Sequence, residues 1–113
     1  MLEEWFNRFG TDYRLAAWNM SFDIAFFKAL CSRNSFQSYL DKINYRHIDV
    51  QTISFIAKEI GLIPKSIASF ADIVEHYQLT RADLHSAIED ARLLSEVYKR
   101  LINAIRASIS QLA

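Results

Sequence analysis

Two glycines and one proline are the only such residues in 113, so the chain has little of the punctuation that turns require. It therefore reads as a succession of helical segments with brief interruptions. Gly10 closes a first helical stretch, roughly 2 to 9. Residues 14 to 18, Arg-Leu-Ala-Ala-Trp, are short and apolar, as a buried parallel strand is. Helical spacing follows in Phe22, Ala25, Phe26 and Ala29. A short helix from about Ser35 carries Phe36, Tyr39, Leu40 and Ile43. Residues 45 to 49 predict a second strand. A helix over 50 to 60 then presents Ile53, Ile56, Ala57 and Ile60 on one face, with Gly61 at its stop and Pro64 beyond. Phe70, Ile73, Val74 and Tyr77 define the next helix. The last runs from about 86 to 109, with Ala87, Ala91, Leu94, Tyr98, Leu101 and Ile105 on one stripe.

Two strands joined by helical crossovers predict a parallel pair, hence a helix-rich α/β fold in a single domain, 1–113, with a long C-terminal helix. The competing expectation is a purely helical bundle in which residues 14 to 18 and 45 to 49 stay unpaired.

Composition narrows the function classes. Hydrophobic residues make up 51% and charged residues 23%, a globular balance. Thirteen basic residues offset thirteen acidic ones, which excludes polyanion binding by bulk electrostatics and leaves only a local patch or a metal. The single cysteine, Cys31, forms no intramolecular disulfide and fits a reducing compartment. No secretory signal opens the sequence, and no apolar run approaches the roughly 18 residues of a membrane span. The expected location is cytoplasmic, with no membrane partner.

Asn19 and Asp23 interrupt the apolar passage Ala-Ala-Trp-Asn-Met-Ser-Phe-Asp at the point where strand passes to helix. Each has an ordinary explanation, because asparagine caps helices and acids are common in first turns. Ser86 and Glu89 form an S-x-x-E capping box that starts the last helix. Asp90 then falls in the first turn, at about −60° from Ala87 on the helical wheel and at the edge of the stripe. His85 lies on the preceding loop. His47 and His76 have no partner spacing and read as ordinary polar or packed side chains. Phe and Tyr at helical spacing read as core before they read as stacking surfaces.

The order of these features carries a resemblance. Asn19-Met20-Ser21-Phe22-Asp23 resembles the second motif of the DnaQ-like 3′→5′ exonucleases, the DEDDh group of the RNase H-like fold. His85-Ser86-Ala87-Ile88-Glu89-Asp90-Ala91 resembles the third motif. His47-Ile48-Asp49-Val50 is similar to a short strand between them, and Ser69 to Leu79 to the helix before the third motif. Trp18 departs from the histidine often found beside the asparagine. The resemblance covers about residues 1 to 105 and implies a partial RNase H-like fold.

In that family four carboxylates hold two divalent ions, Mg²⁺ or Mn²⁺, that cut a phosphodiester at a DNA or RNA 3′ end. Asp90 and Asp23 would then be metal ligands, His85 the general base, and Asn19 and Phe22 substrate-positioning residues. The first motif, D-x-E, which supplies the other two carboxylates, does not occur in these residues. The only acids before Asn19 are Glu3, Glu4 and Asp12. The expectation is an incomplete exonuclease domain, a truncated product or half of a split site, weak or inactive alone. Its strand edge at 14 to 18 would be covered by a second copy or by a chain supplying the missing strands. The alternative is a non-catalytic interaction or structural domain on an exonuclease-like scaffold.

Overall fold

Residues 14 to 18 and 45 to 49 each contribute a strand, and the two strands pair. In the computed structural model of the protein, β1 (Ala16–Ala17) and β2 (Ile48–Asp49) lie parallel, with Ala16 opposite Ile48 and Ala17 opposite Asp49. The Ile48 N–H donates to the Leu15 carbonyl at 2.9 Å, extending the ladder by one bond. Each strand is two residues long, inside the longer segment that predicted it. The pairing excludes the strandless bundle.

The structure describes residues 8, 14–34, 46–80 and 86–112. Apart from residue 8, the expected helices over 2 to 9 and from Ser35 onward lie outside them. The remaining elements are α1 (Met20–Arg33), α2 (Val50–Glu59), α3 (Phe70–His76) and α4 (Ala87–Leu112). The fold is α/β and helix-rich, with a two-stranded parallel sheet and a 26-residue C-terminal helix. It forms two compact units: Met1–Asp49, holding β1, α1 and β2, and Val50–Ala113, holding the other three helices.

In the second unit the core line of α4 is Leu93, Val97 and Leu101, all with 0% exposure. This corrects the stripe drawn through Ala87, Ala91, Leu94, Tyr98, Leu101 and Ile105. Leu94, Tyr98 and Ile105 are half-buried flanks, while Ala87 and Ala91 face solvent. Two apolar rows run side by side on this helix, and the row of larger aliphatics takes the core because it removes more area from water. The correction rotates Asp90 from the margin of the stripe onto its axis, at about 20° from Val97.

The buried face of α2 is also turned from expectation. Val50, Ser54 and Ala57 are buried, Ile53 is half-buried, and Ile56 and Ile60 are 48% and 52% exposed. Ser54 fits the core because its hydroxyl donates to the Gln51 carbonyl at 2.7 Å, so no buried polar group is left unmet. Past the end of α2, Ile63 and Ile67 are buried. Lys58 Nζ donates to the Ile67 carbonyl at 2.7 Å, tying the helix to the loop that follows.

Helix α3 begins with a full capping box. The Ser69 hydroxyl accepts from the Asp72 N–H at 3.1 Å, and the Asp72 carboxylate accepts from the Ser69 N–H at 3.0 Å. Hydrogen bonds from the Ala68 and Ser69 N–H groups hold the Asp72 carboxyl below its ordinary pKa. Ile73 and Val74 are buried, and Phe70 and Tyr77 are half-buried, as their spacing predicts.

Helices α2 and α3 end in the same way. Leu62 N–H reaches the Ala57 carbonyl and Gly61 N–H the Lys58 carbonyl; Leu79 N–H reaches Val74 and Gln78 N–H reaches Glu75. Both are Schellman motifs, which require a left-handed residue. Gly61 supplies φ +80 freely, whereas Gln78 adopts φ 55 with a side chain attached.

In the first unit, α1 has two apolar faces. Met20 and Cys31 are buried, with Ile24 and Phe27 half-buried beside them. The face expected to be buried is the outer one: Phe22 is 68% exposed and Phe26 65%, and Ala25 and Ala29 are exposed with them. Spacing alone could not choose between two apolar faces of one helix.

Two outcomes test these assignments by urea denaturation. Leu93→Ala costs about 2–5 kcal/mol, whereas Ala91→Ser changes stability by less than about 0.5 kcal/mol. Gln78→Gly stabilises by about 0.5–1 kcal/mol, and Gly61→Ala destabilises by about 1 kcal/mol.

Candidate functional site

The strand-to-helix junction collects three of the residues singled out in the sequence. Asn19 is the N-cap of α1, with φ −128 and ψ 87, and its carbonyl accepts from the Asp23 N–H at 3.2 Å. Its side chain makes no capping hydrogen bond among the described residues, so the simple capping explanation applies to its backbone and not to its amide. Asp23 is exposed in the first turn of α1, where the helix macrodipole favours a carboxylate. Phe22, beside it in sequence, projects into solvent.

This junction follows the carboxyl end of β1, and because β1 and β2 are parallel, the carboxyl end of β2 lies at the same edge. That edge is where open α/β sheets bind ligands. Asp49, half-buried, is the last residue of β2 and pairs in register with Ala17. It is a second acidic residue at this edge, besides Asp23, that reading the sequence left out of the site. Its signal was present: an aspartate ending the segment 45 to 49, which was expected to run parallel to residues 14 to 18. His47, two residues earlier, was read as ordinary, yet its Nδ1 is buried with no hydrogen-bond partner among the described residues.

The other candidates belong to the second unit. Ser86 opens α4: its hydroxyl accepts from the Glu89 N–H at 3.3 Å and its carbonyl from the Asp90 N–H at 2.9 Å. The capping role expected for Ser86 is therefore present. Glu89 also pairs with Arg92, whose guanidinium donates to the Thr80 carbonyl at 3.0 Å. These contacts fix the first turn of α4 against the residues that follow α3. Asp90 is half-buried on the core side of that turn, and its Oδ1 has no contact with solvent. His85 lies outside the described residues. His76 is exposed at the end of α3, its ring 5.0 Å from that of Tyr77.

The arrangement thus offers hard oxygen donors at the heads of two helices, one in each unit. Among the described residues, no three His, Cys, Asp or Glu side chains cluster closely enough to hold a metal ion. No described helix is long and apolar enough to cross a membrane. Comparison with profiles of protein families, with curated proteins and with solved structures gives no match.

Ser86 seats Asp90, so Ser86→Ala should cost about 1 kcal/mol of stability in chemical denaturation. It should also raise amide exchange rates in the first turn of α4 and leave those near Leu101 unchanged.

Proposed function

We propose that these residues form part of a DnaQ-like, DEDDh-type 3′→5′ exonuclease domain with an RNase H-like fold, acting on DNA or RNA 3′ ends. The observation that carries the reading is the parallel pairing of β1 and β2 with Asn19 and Asp23 at the carboxyl edge. A two-metal phosphodiesterase needs acidic residues there, and the resemblance puts its second motif on this junction. Asp90, in the capped first turn of the longest helix, supports it from the other motif.

By the resemblance Asp23 and Asp90 would belong to one ligand set, and each offers carboxylate oxygens, the donor class that Mg²⁺ and Mn²⁺ take. When bound, such ions activate water and stabilise charge on the phosphodiester. His85 takes a proton from the attacking water, a task suited to a group titrating near neutrality. Asn19 and Phe22 position the 3′ end. Two carboxylates are a poor cage for two dications, so the D-x-E pair comes from polypeptide beyond these residues, in the same chain or in another.

Mn²⁺ titration followed by electron paramagnetic resonance tests the site. A specific site is expected, weakened about tenfold or more by either Asp23→Ala or Asp90→Ala. The 113-residue chain alone should leave 3′-labelled single-stranded DNA and RNA intact with Mg²⁺. Degradation that Asp90→Ala abolishes would refute the incomplete site.

A non-catalytic interaction domain on the same scaffold is the second reading. The observation favouring it is the exposure of Phe22 and Phe26, which suits a docking surface. The absence of Mn²⁺ binding in the titration selects it.

A further inference from the structure

Beyond Phe22, the outer face of α1 is exposed apolar surface that the proposed chemistry does not use. Taking about 100° per residue, Phe22, Phe26 and Leu30 centre a stripe roughly 140° from the buried pair Met20 and Cys31. They are 68%, 65% and 46% exposed. Ala29 lies on the same stripe and Ala25 at its margin. Small residues at these positions let a second helix approach to about 8–10 Å. A soluble helix with an apolar stripe on each side has one stripe too many.

The charges on this face show what fits it. The exposed acid Asp23 flanks the stripe in the first turn, and the exposed base Arg33 lies on it in the last turn. A parallel copy of α1 would set acid beside acid and base beside base. An antiparallel copy, with a two-fold axis near Lys28, sets Asp23 beside the second copy's Arg33 and Phe26 beside its Leu30. It also opposes the two helix dipoles. The face is therefore self-complementary in one orientation only, as a two-fold interface must be. The exposed ends of α2 and α4, at Ile60 and at Ile109 and Leu112, lack such a paired acid and base within the same stripe.

We infer that this chain associates with a second copy of itself through an antiparallel pairing of α1, with Phe22, Phe26 and Leu30 at the seam and an Asp23–Arg33 ion pair at each end. The pairing engages Phe22 and Asp23, which the functional reading assigns to its own site, and places the association on a helix face, not on the edge of β1. At 14 residues, α1 is about 21 Å long. Such a seam falls in the small-interface class, below about 1,200 Å² in total, so the dimer should be weak and reversible.

Sedimentation equilibrium of the 113-residue chain between about 1 and 200 µM should show a monomer–dimer equilibrium with a dissociation constant in the tens of micromolar. Phe26→Asp, at an exposed position, should give a folded monomer by circular dichroism. Asp23→Arg and Arg33→Asp should each weaken the dimer about tenfold, and the double reversal should restore it. A wild-type chain that stays monomeric throughout overturns the inference and leaves the face to another polypeptide or to the second unit. A dimer indifferent to Phe26→Asp overturns it as well. Weakened single variants without rescue in the double overturn the antiparallel pairing. Mn²⁺ binding is measured separately on the wild-type chain diluted below the dimer dissociation constant, so failure of the pairing and failure of the functional reading are distinguished.

Discussion

Leu93, Val97 and Leu101 have no exposed surface, and the second unit is organised around that fact. A 26-residue helix is about 39 Å long, far more than two short helices can cover. Packing is therefore concentrated on about two turns of α4. The short helices supply Val50 and Ala57 from α2 and Ile73 and Val74 from α3. Each buried aliphatic contributes about 1.5–3 kcal/mol, so a few side chains carry most of the unit's cohesion. Everything else about the unit, including the orientation of Asp90, is set by which row of α4 points at them.

That row decides how the carboxylate is held. An aspartate on the core axis of a helix would normally be costly. The first turn is the one place on the helix where backbone N–H groups and the macrodipole offset that cost. Asp90 occupies it, fixed by the Ser86 cap and by the Glu89–Arg92–Thr80 contacts beside it. The same logic in a shallower setting describes Asp23, one turn into α1 and open to water.

Much of this was legible in the sequence, and the exceptions share a cause. The paired strands, the Ser86 cap and the Gly61 stop were readable because each rests on local chemistry: short segments between stretches of helical spacing, Ser with an acid three residues on, glycine where φ is positive. Helix faces were read less well wherever a helix had more than one apolar row. On α4 alanines stood in for the true core row, and on α1 the exposed phenylalanines were read as core. Small residues such as Ala91 cost little to expose, so hydrophobic spacing cannot rank them against Leu93 or Val97. Gln78 escaped notice for another reason, since nothing about glutamine announces a left-handed backbone. Asp49 needed the parallel pairing to be known before its position had meaning.

The burial of Cys31 has a practical consequence for anyone following how this protein opens. The only thiol in the chain is 2% exposed, and desolvation pushes its pKa up, so both access and thiolate fraction are low in the native state. It sits on the inner side of α1, in the first unit, and nothing in the second unit carries a competing sulfhydryl. A maleimide or disulfide reagent will therefore react at a rate set by how often α1 lifts from its own unit. The unmodified protein comes with a clock for local unfolding of one half of its structure, readable while the helical half stays folded.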